Sequence, residues 1–384
     1  MTDTTITKVH CHLLTQDISQ LAIRWAGGNM RYWNTALVEV TTADGLRGFG
    51  EAYYPGLSAP LATRALVENY APLLIGENAT EATGLFHKLR SKSLAWGKAG
   101  LPLMVAGSIE VALWDIKAQA LGVPLYELLG GKAHDAITAY ASGGMDAPRD
   151  QLIAEMEGYL ERGFRAVKIR IGQSIAEDVE KVRLCRDVLG PDVELMVDAV
   201  MGHNPRPFSA KQALAHINAL EKFDIAWFED PVGNRDYDGC AFVRQNSPVP
   251  VAAGETAVGV HEFLPYFECG ALDWVQPDPT HSGGITECMD IAALARAYGV
   301  GVIYHSWGMA PCLAANYSLA FADPHARYLE YPTHGLPLVD ELAETPFKLV
   351  DGKIAAPTAL GLGVRLNEEL LARYGFIEGS TFWP

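Results

Sequence analysis

The feature that most restricts the fold is a regular alternation running from about residue 136 to about residue 331. Short apolar runs at Ile137–Ser142, Val167–Ile171, Leu195–Val200, Trp227–Pro231, Val251–Glu255, Trp274–Pro277, Val302–His305 and Tyr328–Tyr331 read as β-strands. Helical patterns at 151–162, 176–189, 209–222, 236–245, 260–268, 283–298 and 310–321 separate them. Strands regularly followed by helices give βα units and therefore a parallel sheet. Eight strands across about 200 residues fit a TIM-type barrel, whose active site lies at the C-terminal strand ends. An open, doubly wound sheet is the alternative. It calls for a Gly-rich nucleotide loop after its first strand, and no G-x-G-x-x-G occurs.

The residues before this alternation follow another pattern. Ala36–Thr41 alternates apolar and polar, Asp44-Gly45 makes a turn, and Arg47–Ala52 returns. Residues 62–128 read as helices, with Gly107–Leu121 the clearest and Gly122 its stop. Strands followed by helices describe an α+β domain. Two irregular stretches flank the strands. One carries Arg24, Trp25, Arg31 and Tyr32, the other Tyr53 and Tyr54. Aromatic and basic residues on Gly-rich loops suit a lid that contacts ligand, or a surface turn packing its own rings.

The predicted strand ends carry the chemistry. Asp198, Glu229 and Glu255 end three successive strands. Three bare carboxylates brought together in a barrel mouth repel and raise one another's pKa. A hard divalent cation relieves this, and all-oxygen ligation suits Mg²⁺. Asp278 and His305 end the next two strands; a carboxylate held against an imidazole makes a general base. Glu330 ends the last and could donate or accept a proton at a developing enolate oxygen. On the second strand, Lys168 and Arg170 project from one face and need anions opposite them.

Lys168-Ile-Arg170, Asp198, Glu229, Glu255, the Asp278/His305 pair and Glu330, with Ser108–Gly131, resemble the motif series of the enolase superfamily, mandelate racemase subgroup, over essentially the whole chain. The resemblance implies a modified (β/α)₇β barrel at 133–355 and an α+β capping domain at 1–132, with lid loops near 20–34 and 53–58. The segment 356–384 would return to the cap. It further implies Mg²⁺ on Asp198, Glu229 and Glu255, removal of a proton α to a carboxylate, and a homo-oligomer. A Lys or His base working with Mg²⁺ is the general pattern for such sites.

Two departures narrow the reaction. Arg170 stands where the family has a second lysine, the base for one face of the substrate. Guanidinium has a pKa above about 12, which makes it a poor base but a good fork for oxygen. Racemisation needs a base on each face, and His305 supplies only one. Elimination needs one base, so the expected reaction is dehydration of an aldonate or aldarate to a 2-keto-3-deoxy acid. Lys168 then pairs with the substrate carboxylate or is itself the missing base. The second departure is Val200, where the family often has Asn; His203 either takes over a polar contact or faces water.

Opening of a sugar lactone by a cycloisomerase uses the same proton abstraction. Further alternatives are racemisation or epimerisation of a 2-hydroxy acid, a Schiff-base aldolase using Lys168, and a barrel that only binds ligand. Specificity is expected from Arg24, Trp25, Arg31, Tyr32, Tyr53, Tyr54 and Trp307.

Composition excludes other classes. The net charge is −16 with no long Lys/Arg cluster, which argues against nucleic acid as partner. Six scattered cysteines without a C-x-x-C pair argue against a disulfide framework or zinc cluster and suit a reducing compartment. No apolar run approaches the roughly 20 residues of a membrane span, and no signal-peptide pattern opens the chain. These features lead to an expected cytoplasmic location.

Overall fold

The computed structural model describes residues 2–21, 24–25, 28–52, 59–333, 335–344 and 347–380, with backbone alone for 24–25 and 28–29. Tyr53 and Tyr54 lie outside these residues. Arg24–Trp25 and Gly28–Asn29 pair as a two-residue antiparallel ribbon.

Three antiparallel strands open the chain: β1 (Ile6–Asp17), β2 (Tyr32–Thr42) and β3 (Arg47–Ala52). The β2–β3 turn is closed at Gly45, whose φ of +80° suits glycine. Helices α1 (Pro60–Tyr70), α2 (Ala82–Lys92) and α3 (Leu101–Leu121) follow. The sequence pattern places the start of α3 at Gly107, but it begins six residues earlier, at Leu101. Leu103 to Ile116 are all buried, so no polar stripe marks where the helix enters. Close approach explains this burial. A Cβ at Gly50 would lie 1.9 Å from the Ser108 carbonyl oxygen, and one at Gly107 would lie 2.3 Å from the Gly283 carbonyl carbon. The helix is therefore clamped between the β-sheet of the cap and the start of a barrel helix.

The barrel strands are β4 (Ala136–Gly143), β5 (Ala166–Arg170), β6 (Glu194–Asp198), β7 (Ile225–Glu229), β8 (Val251–Ala253), β9 (Trp274–Val275), β10 (Gly301–Val302) and β11 (Tyr328–Pro332). They pair in parallel in chain order from β4 to β10, and β11 pairs in parallel with β4. Seven helices alternate with them: α4 (Arg149–Glu161), α5 (Ile175–Leu189), α6 (Ala210–Leu220), α7 (Tyr237–Asn246), α8 (Val260–Glu268), α9 (Gly284–Tyr298) and α10 (Ala310–Ala322). Tyr140, Ala166, Met196, Trp227, Ala252 and Ile303 fill the interior as one buried cluster.

Three strands are shorter than the apolar runs suggest. β8, β9 and β10 stop before Glu255, Asp278 and His305, which sit on the loops just beyond. Gly254 leaves the ladder at φ +125°, and Pro277 and Pro279 have no N–H to extend it. Single bonds continue the alignment, as from His305 N–H to the Pro277 carbonyl at 3.1 Å.

The last segment meets the cap. Leu362 N–H donates to Asp115 Oδ1 at 2.9 Å, and Thr15 N–H donates to the Tyr374 carbonyl at 2.9 Å. All six cysteines are free. No helix among the described residues is long and apolar enough to cross a membrane.

Candidate active site

Strand register sets the site. Arg170 is paired with Asp198, and Asp198 with Glu229, so three neighbouring strands end side by side in charged residues. Glu255 completes the group, and ligand oxygens of Asp198, Glu229 and Glu255 all lie within 4.8 Å of one another. Each is buried. Burial and the neighbouring Glu229 carboxylate push Asp198 up to about 8.

Lys168 is fully buried beneath this group. Its Nζ contacts Glu229 Oε1, lies 3.0 Å from Glu330 Oε1 and 3.8 Å from Asp198 Oδ2. A substrate carboxylate was the partner expected for Lys168; the chain itself supplies three. Although burial works the other way, Glu229 and Glu330 hold the ammonium charged.

Arg170 Nε lies 3.3 Å from Asp198 Oδ2, and Nη1 donates to Ser142 Oγ at 3.2 Å. Its guanidinium stacks on Trp307 with 4.4 Å to the ring centroid. Ser142 Oγ donates onward to Glu330 Oε1 at 2.6 Å. The other oxygen of Glu330 accepts from Ser306 N–H at 2.8 Å. Burial raises the Glu330 pKa, but Lys168, His305 and Arg170 outweigh it and hold the residue at about 2.

His305 is buried with its two nitrogens in different settings. Nδ1 lies 2.8 Å from Asp278 Oδ2. Nε2 faces Glu255 Oε2 at 3.3 Å and Glu330 Oε2 at 4.0 Å. Asp278 is itself fixed: Oδ1 accepts from Thr280 N–H at 2.9 Å, Thr280 Oγ1 at 2.7 Å and Asn316 Nδ2 at 3.2 Å. Burial disfavours the imidazolium, but Glu255, Glu330 and Asp278 together raise the His305 pKa to about 10.

His203 lies on a short turn after β6, with Nε2 3.0 Å from Glu255 Oε1. Of the two readings left open for it, the polar contact is the one found. Val200 takes φ +52°, uncommon for a β-branched residue, and its N–H donates to Asp198 Oδ1 at 2.8 Å. Its side chain packs in the cluster that holds Met30, Trp33 and Trp307. Tyr32 is half-buried at the start of β2, with the Arg31 guanidinium 5.1 Å from its ring centroid.

Ser142, Asp230 and Asn316 belong to the site and went unread in the sequence. Asp230 had a signal, since it follows Glu229 directly. Its Oδ2 is buried without a hydrogen-bond partner among the described residues, and His203, Asp230 and Glu255 form a second close trio. Burial and the neighbouring Glu255 push its pKa well up. Crowded carboxylate oxygens with an unanswered buried acceptor fit a hard divalent cation ligated by oxygen, and Asp198, Glu229 and Glu255 are the residues that could hold it.

A parallel barrel with an α+β cap carries acids at successive strand ends and an Asp-held histidine beside them. Residues 10–130 match the mandelate racemase / muconate lactonizing enzyme N-terminal domain, and residues 151–370 match the enolase C-terminal domain-like family. The chain belongs to the enolase superfamily, within the mandelate racemase / muconate lactonizing enzyme family. A D-galactarolactone cycloisomerase from Agrobacterium fabrum is 32% identical over 383 residues, 96% of this chain and 98% of that protein. A D-galactonate dehydratase from Xanthomonas campestris pv. campestris is 33% identical over 351 residues, 88% of this chain and 90% of that protein. A racemase structure from Streptomyces coelicolor with bound magnesium superposes with a TM-score of 0.87 at 26% identity, covering 97% of this chain and 100% of that one.

Proposed function

We propose that this enzyme is a Mg²⁺-dependent dehydratase of a sugar acid, an aldonate or aldarate. The observation that carries this reading is the difference between the two places a base could stand: His305 Nδ1 is held by Asp278 with Nε2 turned toward the acids, whereas on the second barrel strand Arg170 is a guanidinium tied to Asp198 and Lys168 is tied to Glu229 and Glu330. Asp198, Glu229 and Glu255 would hold the ion. When bound, it supplies Lewis acidity to the substrate carboxylate and cancels part of the negative field that otherwise keeps His305 protonated.

Asp278 occupies Nδ1 of His305, which leaves Nε2 to take the proton from the carbon next to the substrate carboxylate. The C–H electron pair becomes the new C–C double bond as the β-hydroxyl departs. His305 Nε2–H then returns its proton to that hydroxyl, so water leaves and the enol becomes a 2-keto-3-deoxy acid. Arg170 offers a rigid fork to a substrate oxygen, stiffened by Trp307. Lys168 ion-pairs with Glu229 and Glu330 and holds them in place.

A second reading is a cycloisomerase that opens a sugar lactone, with the ring oxygen as leaving group. The likeness to the Agrobacterium cycloisomerase over 96% of the chain favours it. Proton NMR in D₂O, with Mg²⁺ and a panel of aldonic acids, aldaric acids and their lactones, separates the two. A 2-keto-3-deoxy product from an open-chain acid supports the dehydratase. Lactone opening without loss of water supports the cycloisomerase. Epimerised acid would overturn both.

A further inference from the structure

Glu51 is the penultimate residue of strand β3 of the cap and is fully buried, yet it belongs to none of the groups described above. Its Oε1 accepts from Thr35 Oγ1 at 2.9 Å on the neighbouring strand β2. Its Oε2 leaves the cap and accepts from Met309 N–H at 2.9 Å, and the Cys312 backbone amide also hydrogen-bonds the carboxyl. These amides open helix α10. That helix has no side-chain N-cap of its own, since Met309 stands at the cap position. A helix start leaves orphan N–H groups and a positive dipole end, and a carboxylate from another part of the chain answers both.

The contact depends on a bare backbone. A Cβ at Gly308 would lie 3.0 Å from Glu51 Oε2 and 2.7 Å from Cys312 Cβ. Helix α10 is also the platform for the catalytic pair. Asn316 Nδ2 donates to Asp278 Oδ1 at 3.2 Å, the Cys312 sulfur lies 3.8 Å from Asp278 Oδ2, and Tyr317 Oη donates to the Glu330 carbonyl at 2.7 Å. Two residues before Met309, Trp307 stacks on Arg170. A shift at the start of α10 would therefore reach both Asp278–His305 and Trp307–Arg170.

We propose that Glu51 is a positioning residue: from the cap it fixes the start of α10 and, through Asn316, holds Asp278 against His305 Nδ1. Its kinetic consequence rests on His305 as the base, whereas the structural claim stands without it. The cap would then contribute directly to the geometry of the base, beyond covering the substrate. Glu51 lies close enough to Asp278 to feel its charge, and burial together with that charge raises its pKa to about 8. Protonated or ionised, it retains an oxygen for the Met309 N–H.

The test is a substrate-free one. In protein labelled with ¹⁵N-histidine, the hydrogen-bonded Nδ1 proton of His305 is assigned by its loss in His305→Asn. Glu51→Ala should broaden or shift that resonance, while Glu51→Gln, whose amide oxygen can still accept from Met309, should restore it. With any acid that turns over, Glu51→Ala should lower kcat by about 100-fold at nearly unchanged KM, the scale expected of a small misplacement. Asn316→Ala should add little to that loss, because both changes release the same Asp278. Should Glu51→Ala fail to fold, Thr35→Val keeps the carboxyl, frees its other oxygen, and should perturb the resonance partially. An unchanged resonance in a folded Glu51→Ala overturns the proposal. A resonance that responds to Glu51, in an enzyme silent toward every acid sugar, sustains the positioning role and counts against the dehydratase reading.

Discussion

Glu110 and Asp115 on α3, and Asp198, Glu229 and Glu255 in the barrel mouth, are all removed from water, yet the chain treats the two sets in opposite ways. On α3, each carboxylate is answered by neutral donors. Glu110 accepts from Thr286 N–H at 3.2 Å, from Thr286 Oγ1, and from Trp114 Nε1 at 3.1 Å. Asp115 accepts from Phe49 N–H at 3.2 Å and Leu362 N–H at 2.9 Å. Neither ion-pairs with a lysine or arginine among the described residues. In the mouth, acids face acids, with Lys168 and Arg170 pressed among them and Asp230 Oδ2 unanswered. Buried acids saturated by dipoles lock a joint. Acids aimed at one another hold room for something positive.

If that contrast is right, the mouth is where activity breaks. His305→Asn removes the base and should lower turnover by about 1,000-fold, at the middle of the range for a general base. A steady-state assay on whichever acid the NMR panel identifies checks this, and residual activity above a tenth of wild type would assign the base elsewhere. Glu110→Gln should leave kcat within about twofold, because it touches no group near the reacting carbon.

Metal sharpens the same contrast through stability. Stripping with EDTA should abolish turnover, and restoring Mg²⁺ should raise the melting temperature. An ion present at about a hundredfold over its Kd adds about 3 kcal/mol to the native state. Scanning calorimetry with and without Mg²⁺ measures it. The gain should vanish in Glu255→Gln and survive in Glu110→Gln. An equal gain in both would mean that the ion binds outside the mouth.

The acids of the mouth were legible because a period-two strand that ends in a carboxylate aims it at the open end of a barrel. Asp198 and Glu229 lie in register as that rule requires. Glu255, Asp278 and His305 were found by the same rule even though the strands stop short of them, because single backbone hydrogen bonds keep the loops aligned where a glycine and two prolines end the ladder. What stayed hidden depends on partners distant in sequence. Ser142 gains meaning only beside Glu330 and Arg170, and Glu51 only beside Met309. The start of α3 was hidden for a different reason: a helix buried on every side has no amphipathic period to reveal it.

At the α3 joint the comparison predicts loss of stability alone. Glu110→Ala leaves the Thr286 hydroxyl and amide and the Trp114 N–H without their acceptor. Each stranded donor costs about 1–3 kcal/mol, so the urea midpoint should fall clearly while kcat of the folded enzyme holds. A matching loss of kcat would show that the joint also shapes the mouth.

The smallest effect is the most diagnostic one. Burial raises the Glu110 carboxyl to about 7 and Asp115 to about 6, while unfolded carboxyls keep their ordinary values of 4.5 and 3.8. Between those limits the native state binds more protons than the unfolded state. The contribution of these two groups to stability must therefore fall as pH rises from about 4 to about 7, and level off above. Saturating Mg²⁺ holds the mouth acids ionised and keeps them from masking the slope. Across this range the urea midpoint of the wild type should lose ground relative to that of Glu110→Gln, which has no proton to lose. If the slope is the same in both, Glu110 is already ionised in the native protein. A full charge would then sit in the joint with only dipoles around it, and the distinction from the mouth would lie in what the acids face, with their charge no longer setting the two regions apart.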